Sequence, residues 1–124
     1  MNLLIVEDNC RMREMIRSVV ADIADELHEC DDGADALAAY ARHRPDWVLM
    51  DIKMKEMSGI TATREIIASF PEAHVMIISN YDDMEVREAA REAGACGYTV
   101  KDDLMSLCPL LAGAKNSPPK VESH

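Results

Sequence analysis

Short runs of apolar residues alternate along the chain with longer segments of helical periodicity. Runs of four or more apolar residues without alternation are typical of strands buried on both faces. Three such runs occupy residues 3–6, 47–50 and 75–78. Weaker strands are expected at about Leu27 to Cys30 and from Cys96 to Val100. Because His28 and Glu29 make the first of these the least apolar, we expect it at a sheet edge.

The segments between these runs carry apolar residues at the i, i+3, i+4 spacing of amphipathic helices. Five such stripes occur; the second stops before Pro45 and the fourth before Gly94. Five strand–helix units in alternation predict a parallel sheet with helices on both faces. Pro109 falls inside the fifth stripe, so this helix is predicted to be short, bent or displaced.

Composition limits the classes of protein that need to be considered. The 124 residues, 48% of them hydrophobic, fit one globular domain. We expect the domain to occupy residues 1–114 and a disordered polar tail to occupy residues 115–124. The chain lacks a signal-peptide pattern and a membrane-spanning stretch, so we expect a cytoplasmic protein without membrane contact. A net charge of -10 argues against direct nucleic-acid binding, and the spacing of the four cysteines argues against zinc.

Polar side chains stand where the predicted strands end. Glu7 and Asp8 follow the first strand, and Asp51, Ser79 and Lys101 close three others. Parallel strands bring these ends to one edge of the sheet. Two like charges ~4 Å apart cost roughly 4 kcal/mol at an effective dielectric of 20, so the carboxylates require cations beside them. Lys101 supplies one positive charge, and Mg²⁺ suits the remaining hard oxygen ligands.

The span from about Asn2 to Leu111 resembles the receiver domain of two-component response regulators. Five motifs carry the resemblance in the right order: Val6-Glu7-Asp8-Asn9, Asp31-Asp32-Gly33-Ala34, Leu49-Met50-Asp51-Ile52-Lys53-Met54 with Ser58-Gly59, Ile78-Ser79, and Gly97-Tyr98-Thr99-Val100-Lys101. The resemblance implies a flavodoxin-like, doubly wound α/β sandwich of three layers. Its five-stranded sheet would have the order 2-1-3-4-5.

The resemblance also implies a role for each matching residue. Asp51 would accept a phosphoryl group from a histidine of a sensor kinase or phosphotransfer protein, and Ser79 and Lys101 would contact the phosphoryl oxygens. Mg²⁺ would be held by carboxylates and by one backbone carbonyl: Glu7, Asp8, Asp51 and Lys53. Ser79 and Tyr98 would form the switch that changes the face made by the fourth helix, last strand and fifth helix. An unidentified downstream protein would bind that face, and the chain would be a monomer or a weak homodimer.

Three departures from the family pattern affect these expectations. Lys55 stands where the family usually has proline, which predicts a looser loop after Asp51. Asp102 follows Lys101 where the family usually has proline. This Lys-Asp pair resembles the receivers that are joined to a DNA-binding domain. Lys53 and Tyr81 occupy positions that flank the path of the hydrolytic water in the family, and their bulk is expected to slow loss of the phosphoryl group.

Alternative functions remain open from the sequence. Some metal-dependent phosphatases use a strand-ending aspartate nucleophile, but they need a second aspartate where this chain has Lys53. A degenerate receiver that serves only for docking is another alternative. The short tail favours a stand-alone receiver that is not an enzyme beyond its own phosphorylation and dephosphorylation. A receiver fragment of a longer DNA-binding regulator is the remaining possibility.

Overall fold

The computed structural model describes residues 1–80 and 83–115. Within these residues the strands are β1 (Asn2–Val6), β2 (Glu26–Cys30), β3 (Trp47–Asp51), β4 (Val75–Ser79) and β5 (Gly97–Val100). The α-helices are α1 (Cys10–Val20), α2 (Ala36–His43), α3 (Gly59–Ser69), α4 (Met84–Ala93) and α5 (Leu107–Lys115). Two 3₁₀ segments, Gly33–Asp35 and Lys101–Ser106, precede α2 and α5.

All five strands pair in parallel in the order β2-β1-β3-β4-β5. This arrangement confirms the predicted flavodoxin-like sheet. Every residue of β3 and β4 is buried, as the unbroken apolar runs predict, whereas β2 is partly exposed and forms one edge. The strands with the strongest apolar signal therefore occupy the centre of the sheet, where both faces are covered.

Successive residues of each central strand enter two different cores, because side chains alternate across a sheet. On one face Leu4, Val48 and Ile77 pack with residues of α2, α3 and α4. On the other face Leu3 and Leu49 pack with residues of α1 and α5. The predicted three-layer arrangement is confirmed, and the two helix layers leave the carboxyl ends of the strands at one edge.

Helix α5 begins at Leu107, later than the start of the fifth apolar stripe from which it was predicted. Leu104 lies in the 3₁₀ segment, Asp103 has non-helical dihedral angles (φ -123°, ψ 45°), and α5 begins only at Leu107. Pro109 is then the third residue of α5, where the missing N–H has no partner within the helix in any case. The expected disturbance by Pro109 is therefore confirmed as a displaced helix start.

The two ends of the chain are described to different extents. α5 extends through Lys115, one residue beyond the predicted domain limit, and the predicted tail from residue 116 onward lies outside the described residues. Among residues 1–80 and 83–115, the helices are all too short or too polar to cross a bilayer.

Candidate functional site

The predicted polar residues surround one cavity at the carboxyl edge of the sheet. Its volume is about 190 Å³, and it is open to solvent. Because all the strands point the same way, residues that follow β1, β3, β4 and β5 meet there. The lining residues are Glu7, Asp8, Asn9, Asp51, Ile52, Lys53, Ser79, Asn80 and Lys101. Six predicted site residues therefore lie together in the structure.

Three carboxylates form the acidic side of this cavity. Glu7, Asp8 and Asp51 each offer an oxygen atom, and these atoms lie within 4.8 Å of one another. Glu7 and Asp51 are buried at 1% and 6% exposure, whereas Asp8 is exposed. Carboxylate oxygens clustered around an open space fit a hard divalent cation such as Mg²⁺, which retains some water ligands.

Lys101 lies opposite the two buried carboxylates. Its Nζ is 3.1 Å from Glu7 Oε1 and 3.1 Å from Asp51 Oδ1, and its side chain is 9% exposed. Burial alone would lower the pKa of this ammonium, but the charges and hydrogen bonds of Asp51 and Glu7 raise it. One fixed positive charge therefore faces two neighbouring carboxylates, which leaves the cavity negative overall.

The pKa of Glu7 reflects its burial and the charges around it. Burial, followed by the charge of Asp51, raises the pKa of Glu7 to about 7. The ammonium of Lys101 and the N–H of Asn9, which donates to Glu7 Oε2 at 3.2 Å, act in the opposite direction without cancelling the rise. Without a bound cation, Glu7 is therefore partly protonated near neutral pH.

Ser79 and Lys53 reach the cavity from the two central strands. Ser79 ends β4 and is 1% exposed, beside Asp51 at the end of the neighbouring strand. Lys53 follows β3 by two residues, and its side chain is exposed at the cavity wall. Tyr81, the other residue expected near the hydrolytic water, lies outside the described residues.

Tyr98 lies away from the cavity. It is half-buried on β5, and its ring borders a groove between β5 and α4. The guanidinium carbon of Arg87 lies 4.6 Å from the ring centroid, a cation–π distance. The structure therefore places Tyr98 on the α4–β5 surface, which is part of the face predicted to bind a downstream protein, and not among the polar residues that line the cavity.

The loop after Asp51 is hydrogen-bonded to the turn that follows β2. The N–H groups of Glu56 and Met57 donate to the carboxylate of Asp32, at 2.9 and 3.1 Å. These bonds attach the second half of the loop to the neighbouring turn, and the looser loop predicted from Lys55 stays a prediction.

Gly59, the first residue of α3, lies directly against the backbone of Asp51. A Cβ atom at this position would be 1.8 Å from the Asp51 carbonyl oxygen. We expect Gly59→Ala to lower the free energy of unfolding by about 3 kcal/mol, because the backbone that carries Asp51 has to shift. Urea unfolding measures this loss. Gly97→Ala is the matched control with a smaller loss, since its Cβ would meet only the flexible end of Met76; equal losses would contradict the close approach at Gly59.

Two further residues support the site without having been singled out from the sequence. Arg13 Nη1 donates to the Glu7 carbonyl oxygen at 2.8 Å, and its Nε donates to Glu29 at 3.1 Å. Asn9 caps α1 by accepting the N–H of Met12 at 3.0 Å. A polar residue before an apolar stripe indicates a cap, but no pattern along the chain indicates the contact between Arg13 and Glu7.

Comparison with known proteins agrees with this geometry. Residues 3–109 match the family described as the response regulator receiver domain. The chain belongs to this family. The receiver domain is the signalling unit of two-component systems, so the predicted family and the class of function are confirmed. The predicted roles of the individual residues stay predictions.

This receiver domain is similar in sequence to a chemotaxis protein of nearly its own length and to part of longer transcriptional regulatory proteins. It is 38% identical over 100 residues to the chemotaxis protein CheY of Bacillus subtilis, covering 80% of this chain and 83% of the relative. It is 35% identical to the uncharacterized transcriptional regulatory protein YhcZ of the same organism, covering 82% of this chain and 49% of that one. The chain spans about half the length of YhcZ and of two other regulators that it matches.

A solved structure shows the same likeness in three dimensions. The receiver domain superposes with a TM-score of 0.82 on a LuxR-family two-component response regulator from Aurantimonas sp. SI85-9A1. The two are 29% identical, and the match covers 90% of this chain and 85% of the other. The fold and the family are thus supported by both sequence and structure.

Proposed function

We propose that Asp51 accepts a phosphoryl group from a histidine of a sensor kinase or phosphotransfer protein. The observation that carries this proposal is the pairing of Asp51 with Lys101 in an acidic cavity open to solvent. A carboxylate oxygen of Asp51 attacks phosphorus, the bond from phosphorus to the histidine nitrogen breaks, and the nitrogen keeps the electron pair. Catalysis of such a transfer consists mainly of positioning and charge neutralisation.

The residues around Asp51 divide these tasks. Glu7, Asp8, Asp51 and the backbone carbonyl of Lys53 would hold Mg²⁺, and the clustered carboxylate oxygens support this assignment. Mg²⁺ held there would neutralise negative charge on the phosphoryl oxygens. Lys101 pairs with one phosphoryl oxygen and the hydroxyl of Ser79 donates to another. Both side chains line the cavity, which supports these roles.

The change in charge at Asp51 is proposed to reach the α4–β5–α5 surface through Ser79 and Tyr98. Phosphorylation adds about -1.5 to -2 charge and new acceptor oxygens, which draw the Ser79 hydroxyl inward. Tyr98 then turns into the vacated space and leaves its contact with Arg87. The position of Tyr98 beside the α4–β5 groove supports this step. A downstream protein would recognise the altered surface.

Incubation with acetyl phosphate and Mg²⁺, followed by intact mass spectrometry, tests the proposal. A stable gain of one phosphoryl group supports the phosphoacceptor function. Turnover of an added phosphoester would instead support a phosphatase, and an unchanged mass would support a receiver used only for docking. The same incubation in EDTA is the control, and it is expected to prevent the gain.

The affinity for Mg²⁺ is expected to rise with pH. Because the pKa of Glu7 is about 7 without a cation, the ion must displace a proton at lower pH. Affinity should rise by roughly tenfold from pH 6 to pH 8 and then level off. Isothermal titration calorimetry in buffers of different ionisation enthalpy measures both the affinity and the proton released. An affinity independent of pH would contradict protonation of Glu7 in the metal-free protein.

The raised pKa of Glu7 makes the stability of the metal-free protein fall as pH rises, whereas the affinity for Mg²⁺ is expected to rise. The folded-state pKa of Glu7 lies above its ordinary value of 4.5, so the folded state binds the proton more tightly than the unfolded state. The resulting stabilisation is complete below pH 4.5 and is lost as pH rises through about 7. The contribution of Glu7 to stability and its contribution to Mg²⁺ affinity therefore change in opposite directions with pH.

The wider setting of the receiver domain stays a prediction. A cytoplasmic location, without membrane or direct nucleic-acid contact, and a monomeric or weakly dimeric state are the expectations. The match to half of several transcriptional regulators supports a second arrangement, in which this domain controls a DNA-binding domain. Coexpression with an adjacent kinase gene and analysis of phosphoryl transfer would identify the donor.

A further inference from the structure

Asp32 connects the turn after β2 to the loop after β3. Asp32 is 7% exposed, and its carboxylate accepts backbone N–H groups from both segments. One bond is local, from Ala34 to Oδ1 at 2.9 Å. Two others cross to the distant loop, from Glu56 to Oδ2 at 2.9 Å and from Met57 to Oδ1 at 3.1 Å.

These bonds favour the ionised form of Asp32. The N–H of Ala34, followed by that of Glu56, lowers the pKa of the carboxyl group, and burial opposes this only in part. Hydrogen bonds to an ionised acceptor are about twice as strong as bonds between neutral groups. At neutral pH the loop is therefore held by charge-assisted bonds.

Gly33 brings the turn and the loop into direct contact. A Cβ atom on Gly33 would lie 2.5 Å from the carbonyl oxygen of Met57 and 3.2 Å from that of Ser58. The loop can approach the turn only because this position lacks a side chain. The Met57 backbone therefore has a neighbour on each side: its N–H donates to Asp32, and its carbonyl oxygen lies close to Gly33.

The anchored loop is the one that carries Lys53. It leaves β3 at Asp51 and enters α3 at Gly59, and the Gly59 N–H donates to the Ile52 carbonyl oxygen at 2.8 Å. Between these ends, Asp32 holds the loop at the N–H groups of Glu56 and Met57, three and four residues after Lys53.

We propose that Asp32 is a positioning residue that fixes the β3–α3 loop and, through it, the Lys53 backbone carbonyl that would bind Mg²⁺. The inference rests on the proposed function, because it concerns the same cation site. Asp32 lines neither the cavity nor the acidic cluster, so its effect on metal binding is transmitted through the loop.

The test compares Mg²⁺ binding by the parent, Asp32→Asn and Asp32→Ala, measured by titration calorimetry. Loss of an outer partner that orients a metal ligand typically costs about 10- to 100-fold in affinity. We expect a loss in this range for Asp32→Ala and a smaller loss for Asp32→Asn, whose amide oxygen can still accept an N–H. The rate of phosphoryl uptake from acetyl phosphate should fall at limiting Mg²⁺ and recover at saturating Mg²⁺.

Asp46→Ala is the matched control. The Asp46 carboxylate also accepts a backbone N–H, from Asn2 at 2.7 Å, but it stands before β3, at the opposite end of the strand from Asp51. It should leave Mg²⁺ affinity unchanged. Gly33→Ala provides a second route to the same effect, because it keeps the carboxylate and pushes the Met57 carbonyl away. Gly33→Ala should also weaken Mg²⁺ binding. If Asp32→Ala does not fold, Gly33→Ala and Asp32→Asn together test the positioning role.

The outcomes separate this inference from the proposed function. If the parent binds Mg²⁺ and takes up the phosphoryl group while folded Asp32→Asn and Gly33→Ala match its affinity, the positioning role is wrong and the phosphoacceptor function stands. If the parent itself neither binds Mg²⁺ nor gains mass, the proposed function is wrong, and the inference about Asp32 fails with it.

Discussion

Replacing Asp51 with asparagine is expected to abolish phosphoryl uptake. A neutral amide offers no nucleophilic carboxylate oxygen and no negative charge to pair with Lys101, which lies 3.1 Å from Asp51 Oδ1. Intact mass after incubation with acetyl phosphate and Mg²⁺ should show the full gain for the parent and no gain for Asp51→Asn. The loss should persist at saturating Mg²⁺, which distinguishes a missing nucleophile from weakened metal binding.

The control for this experiment is Asp22→Asn, which removes the same charge from an exposed position after α1. This variant should match the parent in both the rate and the extent of uptake. Retention of the mass gain in Asp51→Asn would mean that another group accepts the phosphoryl group. Asp8, the exposed carboxylate of the cluster, would then be the first position to map by peptide mass spectrometry.

Replacing Lys101 with methionine is expected to give the second large effect, a loss of stability in the metal-free protein. Glu7 and Asp51 would then share a buried site without their cation. Removing one partner of a buried ion pair typically costs about 3–5 kcal/mol. We expect about 3 kcal/mol at pH 8, the lower end of this range, because the cavity is open to water and Glu7 can take up a proton.

Urea unfolding in EDTA, at pH 8 and at pH 6, measures this effect. The loss should be smaller at pH 6, where protonation of Glu7 removes one of the two charges. Saturating Mg²⁺ should restore much of the lost stability, because the ion replaces the missing positive charge and binds only the folded state. Lys55→Met, at an exposed loop position, is the control and should change stability little. A loss independent of both pH and Mg²⁺ would show that Lys101 acts through packing rather than charge.

The sequence alone determined the architecture and the membership of the site. Unbroken apolar runs at β1, β3 and β4 favour strands covered on both faces, and intervening helices of this length favour parallel crossovers. Parallel strands end at the same edge, so the order of residues along the chain was sufficient to bring Asp51, Ser79 and Lys101 together. These features follow from the spacing of apolar residues and the order of the strands and helices, both of which can be obtained from the sequence.

Only the tertiary structure decided the features that depend on contacts between distant segments. The hydrogen bonds from the loop to Asp32 join residues 24 and 25 positions apart. The raised pKa of Glu7 depends on burial and on Asp51, and the position of Arg87 over the Tyr98 ring depends on how α4 packs against β5. Burial, electrostatic interaction and packing are properties of the folded chain, so neither composition nor spacing along the sequence specifies them.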